Sequence, residues 1–153
     1  MHIHYLYLQW KGDDDHARHR RVPLRRADPE AIAALTGTDF LQAIIRGELP
    51  APPMAKTLDF FLVEVGDGRA AFEGEPGEAF LNPMGSVHGG WALTLVDSAT
   101  GCAGMSLLPP GVAYTTIETK VNFSRPISKD AGRVRTEAWV VSRAGAFFPR
   151  KRA

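Results

Sequence analysis

The sequence predicts a single α+β domain in which an antiparallel sheet wraps one central helix. Three observations carry that expectation: a hairpin pattern across residues 58–74, an apolar stretch at 89–103 that is too long for a buried strand, and two alternating runs at 112–124 and 133–142. A chain of 153 residues with 44% hydrophobic and 23% charged side chains suits one core of ordinary globular composition.

Each element has a local cause. Asp28-Pro29-Glu30 is a helix start, with Asp as cap, Pro at the first helical position and an acid in the first turn. The helix runs through Ala31 to Leu35 until Gly37 stops it, and Asp39 to Arg46 makes a second short helix ended by Gly47. Pro50, Pro52 and Pro53 form a rigid connector. Leu58 to Val65 and Arg69 to Gly74 read as strands joined by the turn Gly66-Asp67-Gly68. From Gly89 to Ala103 nearly every side is small or apolar, as in a helix enclosed by the rest of the fold, and Gly104 with Pro109-Pro110-Gly111 ends it. Val112 to Ser124 reads as a strand, with Ile117, Thr119, Val121 and Phe123 on one face and Glu118, Lys120 and Asn122 on the other. Arg133 to Ser142 alternates in the same way. Residues 1–27 show no sustained period and read as an N-terminal extension of unknown value.

Charge and composition narrow the function. Residues 28–142 carry eight Lys or Arg against fourteen acids, whereas the two ends are basic. An acidic core is a poor nucleic-acid footprint, so no nucleic-acid partner is expected and the basic ends read as solvated tails. No apolar run approaches the roughly 20 residues of a membrane span, and the first ten residues do not form a secretory signal, so a cytoplasmic protein without membrane contact is the expectation. Cys102 is the only cysteine, which excludes an intramolecular disulfide or a Cys-clustered metal site.

The chemistry concentrates in and before the apolar helix. Asp97 is the only charged residue between His88 and Glu118, and a carboxylate there loses hydration, which raises its pKa unless a partner compensates. The helix opens with His88-Gly89-Gly90. Glycines leave the N–H groups of a helix N-terminus approachable, and the dipole adds positive potential suited to a developing oxyanion. Asn82 and His88 flank this start and can orient a carbonyl, a water or a leaving thiolate. Eight helical residues separate Gly89 from Asp97, a rise of about 12 Å. One carboxylate then cannot reach a carbonyl held at its own Gly89. If the two act together, Asp97 comes from a second subunit across a two-fold axis, and an obligate dimer with shared sites follows.

Taken as a spaced set, Asn82-Pro83-Met84-Gly85-Ser86-Val87-His88-Gly89-Gly90, then Asp97, Tyr114-Thr115-Thr116 and Val121-Asn122-Phe123-Ser124-Arg125-Pro126 resemble the hotdog-fold acyl-CoA thioesterases of the phenylacetate-pathway (PaaI) type. The resemblance covers about residues 28–142 as the hotdog domain. It implies hydrolysis of acyl-CoA thioesters without a cofactor, in a dimer or tetramer. The Gly89 N–H and the Asn82 amide would polarise the thioester carbonyl. Asp97 of the opposite subunit would act as base or nucleophile, with Thr115 positioning it and His88 supporting the loop and the leaving thiolate. Gly90, Trp91, Arg125 and Lys129 are candidate substrate contacts, the two cations for coenzyme A phosphates; Phe80 and Leu95 are further candidates for the acyl pocket.

Members of that family continue beyond the strand matching 133–142 with two more strands. Here residues 143–153 contain Phe147-Phe148-Pro149-Arg150-Lys151-Arg152, with neither period nor partner, and read as an aberrant basic tail from a frameshift or truncation. Two rival classes stay open: a non-catalytic acyl-CoA-binding module or inactive remnant, and an acyl-CoA dehydratase. The dehydratase is disfavoured because no His-Phe-Pro occurs and Cys102 stands five residues after Asp97 where a histidine would be needed.

Overall fold

The computed structural model describes residues 27–142, together with Pro23, Arg25 and the strand His2–Gln9. In chain order these form β1 (His2–Gln9), α1 (Pro29–Ala34), α2 (Gly37–Ile45), α3 (Pro53–Leu58), β2 (Phe60–Gly66), β3 (Arg69–Gly74), a single 3-10 turn (Glu78–Phe80), α4 (Gly89–Met105) and β4 (Val134–Ser142). The strands make one antiparallel sheet in the order β1-β4-β3-β2, and α4 lies across it. No helix among the described residues is long and apolar enough to cross a membrane.

The sheet and helix meet through matched periodicities. Along β4, Val134, Thr136 and Ala138 are at most 2% exposed and face α4, while Arg135, Glu137 and Trp139 alternate outward. Along α4, Trp91, Leu95, Ala99 and Ala103 recur every four residues and are all buried, so one stripe of the helix enters the core. Phe60 and Phe72 close that core edge to face, with ring centroids 5.8 Å apart. On the outer sheet face Arg135 donates to Glu137, Glu73 and Glu64 at 2.6, 2.8 and 2.6 Å, tying three strands together. Burial opposes the Arg135 charge, but these carboxylates outweigh it and hold the guanidinium above its ordinary value.

Several expectations need correction. The 112–124 run is not a strand among the described residues. Alternation becomes a strand only where a neighbour completes its hydrogen bonds, and among the described residues this run has no place in the β1-β4-β3-β2 sheet. β1 itself arises in the extension read as patternless; it pairs with β4 from His2↔Ser142 to Gln9↔Val134. Pro23 and Arg25 are also tied in, bracketing Ala51 with backbone bonds of 2.8 and 3.1 Å. Gly37 does not stop a helix but begins α2, because Thr36 caps it by accepting from the Asp39 N–H. The proline connector ends in α3, where Pro53 takes the first-turn position that lacks a hydrogen-bond partner anyway. The basic tail inferred for residues 143–153 lies outside the described residues.

Candidate active site

The loop ahead of α4 is organised by one side chain. The Asn82 Oδ1 accepts from the backbone N–H groups of Met84 and Ser86 at 2.9 and 3.3 Å, and Nδ2 donates to Ser86 Oγ at 2.8 Å. An isolated bridge between Leu81 and Val87 closes the loop, and the His88 N–H donates to Phe80 O at 2.7 Å. Asn82 therefore spends its carbonyl and one amide proton on its own loop. Those bonds also help to set where His88 begins the helix.

His88 is the N-cap of α4, and its Nδ1 accepts from the Gly90 N–H at 2.9 Å. An acceptor Nδ1 assigns the remaining proton of the neutral imidazole to Nε2, leaving one side-chain donor. Trp91 N–H turns back to His88 O at 3.0 Å. The Gly89 N–H makes no hydrogen bond among the described residues, which leaves one donor at the positive end of a seventeen-residue helix. His88, Gly90 and Trp91 border an open cleft of about 300 Å3 whose other walls include Leu58, Phe80 and Leu81. The Trp91 indole is fixed by donating to Leu58 O at 2.7 Å, and its ring lies 6.2 Å from that of Phe80. Leu95, in contrast, is sealed in the core and reaches no cleft.

Two turns further along α4, Asp97 is half-buried and accepts from Thr119 Oγ1 at 2.9 Å. Thr119, not Thr115, supplies that hydroxyl; Thr115 is exposed. The two threonines share one face of the 112–124 alternation, so the pattern located the face but not the position along it. Burial and the neighbouring Asp97 push the Cys102 thiol up to about 12, and burial, Cys102 and Asp97 likewise raise the Tyr114 phenol. Both neighbours therefore stay protonated near neutral pH, and Cys102 is no thiolate nucleophile.

Gly89 and Asp97 sit on one continuous helix, about 12 Å apart along its axis. A single chain does not bring them together. Arg125 and Lys129 are exposed on the loop before β4, and that loop is tied to the site because Val87 N–H donates to Ile127 O at 3.0 Å. No group of three or more His, Cys, Asp or Glu side chains suited to a metal ion occurs among the described residues.

Comparison with known proteins identifies the family and the fold. A family model described as the thioesterase superfamily matches residues 84–148. The chain is similar to a phenylacetic acid degradation-related protein of Ralstonia eutropha JMP134, with 30% identity over 69% of this chain and 80% of that one, and a TM-score of 0.61. The E. coli PaaI protein from the phenylacetic acid degradation operon shares the fold at 17% identity, covering 71% of this chain and 97% of its own, with a TM-score of 0.50. No curated protein matches the chain. The chain therefore belongs to the thioesterase superfamily, as a PaaI-like member with the hotdog fold.

Proposed function

We propose that this chain hydrolyses acyl-CoA thioesters to a free acid and coenzyme A, in a two-fold dimer whose sites combine Gly89 of one subunit with Asp97 of the other. The observation that carries the reading is the Asp97 carboxylate held by Thr119 on the same helix whose N-terminal Gly89 N–H is open. Isologous pairing of two copies of α4 answers their separation, since it brings opposite ends of two helices together twice.

In the resulting site the Gly89 N–H and the His88 Nε2–H stabilise the oxygen of the thioester carbonyl as it gains charge. Asp97 either takes a proton from water, which attacks the carbonyl carbon, or attacks that carbon itself to form an anhydride that water then opens. In the first route the C–S bond breaks as the tetrahedral intermediate collapses, and the proton that Asp97 took from water passes to the leaving thiolate. In the second the C–S bond breaks as the anhydride forms, and the released thiolate is protonated once water opens the anhydride to the free acid and restores the Asp97 carboxylate. Phe80 and Trp91 border the space for the acyl group, while Arg125 and Lys129 meet the phosphates of coenzyme A.

Release of free thiol from a panel of acyl-CoAs tests the reading, with phenylacetyl-CoA included because the named relatives are tied to phenylacetic acid degradation. Asp97→Asn is expected to lower kcat by about a thousandfold, the range of a lost general base, and Thr119→Val by about tenfold. Tight binding of acyl-CoA without turnover in the unmodified chain would instead establish a binding module.

A further inference from the structure

Residues 112–124 form no ladder among the described residues, yet they do not wander. Three of their side chains meet α4 in order. The Phe123 ring crosses Gly89, where an added Cβ would lie 3.1 Å from Cζ. Thr119 bonds Asp97. The Tyr114 phenol lies on Gly101, where an added Cβ would lie 2.7 Å from the hydroxyl oxygen and 3.0 Å from Cε2. From Gly89 to Asp97 the helix rises about 12 Å, and from Phe123 to Thr119 an extended chain covers about 13 Å, so the two spacings match. Any side chain at Gly101 would fill the place where the Tyr114 ring rests.

We infer that Gly101 is a receiving notch for Tyr114, and that this seated ring, with Phe123 on Gly89, registers the 112–124 segment so that Thr119 meets Asp97. Tyr114 is then a positioning residue acting through Thr119, and it touches no substrate. The alternative register is close at hand: Thr115 has the same hydroxyl on the same face, and a slip of four residues would present it instead. Two aromatic anchors near the ends of the segment prevent that slip more effectively than one threonine hydrogen bond could alone. The inference rests on the reading of Asp97 as the reacting carboxylate, but the seating of the ring can be measured without it.

Cys102 supplies that measurement. It is the only thiol in the chain and is adjacent to Gly101, on which the Tyr114 ring rests, and it lies near enough to help raise the Tyr114 phenol. The test uses the full chain and three variants, Tyr114→Phe, Tyr114→Ala and Gly101→Ala, with an aromatic disulfide reagent as the thiol probe and thioester hydrolysis as the second readout. Tyr114→Ala and Gly101→Ala are expected to speed labelling of Cys102 by about tenfold or more, because reactivity follows exposure, while Tyr114→Phe stays within about twofold of the parent. In turnover the same two variants lose about tenfold in kcat with KM little changed, and Tyr114→Phe keeps activity. Tyr114 is partly exposed and alanine is the better helix former at position 101, so neither change threatens the fold itself. Unchanged labelling in Tyr114→Ala overturns the seating, and unchanged kcat where Asp97→Asn is inactive overturns the positioning role. A parent chain without turnover on any thioester overturns the hydrolase reading and the positioning role with it, while the labelling still decides whether the ring seats.

Discussion

Two segments of this chain carry the same alternating signature and meet opposite fates. β4 lies between β1 and β3, paired along both edges, and its Thr136 is 1% exposed. Residues 112–124 alternate as cleanly, yet Ile117 is 94% exposed and the segment meets α4 through the side chains of Phe123, Thr119 and Tyr114. The difference shows that a period of two states which side chains share a face, and that a strand exists only where another backbone accepts its N–H and C=O groups. It also shows why the less regular segment can present a side chain to the candidate site. A strand paired on both edges is fixed, whereas a segment that meets α4 through Phe123, Thr119 and Tyr114 presents a hydroxyl to a carboxylate that the core leaves half exposed.

The largest expected contrast is in stability. Val134→Asp places an unpaired charge at a fully buried position and should cost about 4 kcal/mol or more, comparable with the whole stability of a marginal domain. Ile117→Asp should stay within about 0.5 kcal/mol in denaturant melts of the same chain. Equal losses would mean that 112–124 is a buried strand after all and would erase the comparison.

Hydrogen exchange sharpens it. The amides of β4 that bond to β1 and β3 are expected to exchange only through global opening, and those of residues 115–118, which make no backbone hydrogen bond among the described residues, through almost none. Protection at 115–118 that grows with protein concentration would show a second copy pairing there, as a two-fold dimer allows. Concentration-independent protection would point to a partner strand within the chain.

A last contrast concerns alkaline pH. Burial and Asp97 hold the Cys102 thiol at about 12 against an ordinary 9.0, so between those values the unfolded chain releases a proton that the folded chain keeps. Stability from this group is complete below about pH 9 and is lost as pH rises toward 12. Cys102→Ala should therefore show a shallower alkaline decline than the parent in melts across that window; parallel declines would mean that the thiol is not held up by its site.

Much of the site is legible in the amino-acid sequence. Asp97 stands out as a lone charge in an apolar helix, and His88-Gly89-Gly90 marks an approachable helix start. The alternation puts Thr119 on the correct face of its segment but does not separate it from Thr115, because a period of two gives parity and leaves register to the contacts that the rings of Tyr114 and Phe123 make. The internal commitment of Asn82 to its loop is not visible in the sequence either, since an amide beside a turn can face inward or outward with the same neighbours.

What the sequence determined by itself is therefore local: helix caps, the hairpin at Gly66-Asp67-Gly68, the enclosed helix from Gly89, and the lone Asp97 within that helix. Each follows from backbone preference or from the spacing of apolar groups within a dozen residues. Tertiary structure alone decided that His2–Gln9 covers the edge of β4, that the run at 112–124 stays without a described ladder, and that Thr119 rather than Thr115 reaches Asp97. Those outcomes depend on which distant backbone or side chain arrives first at an unsatisfied group, and neither alternation nor propensity encodes a partner.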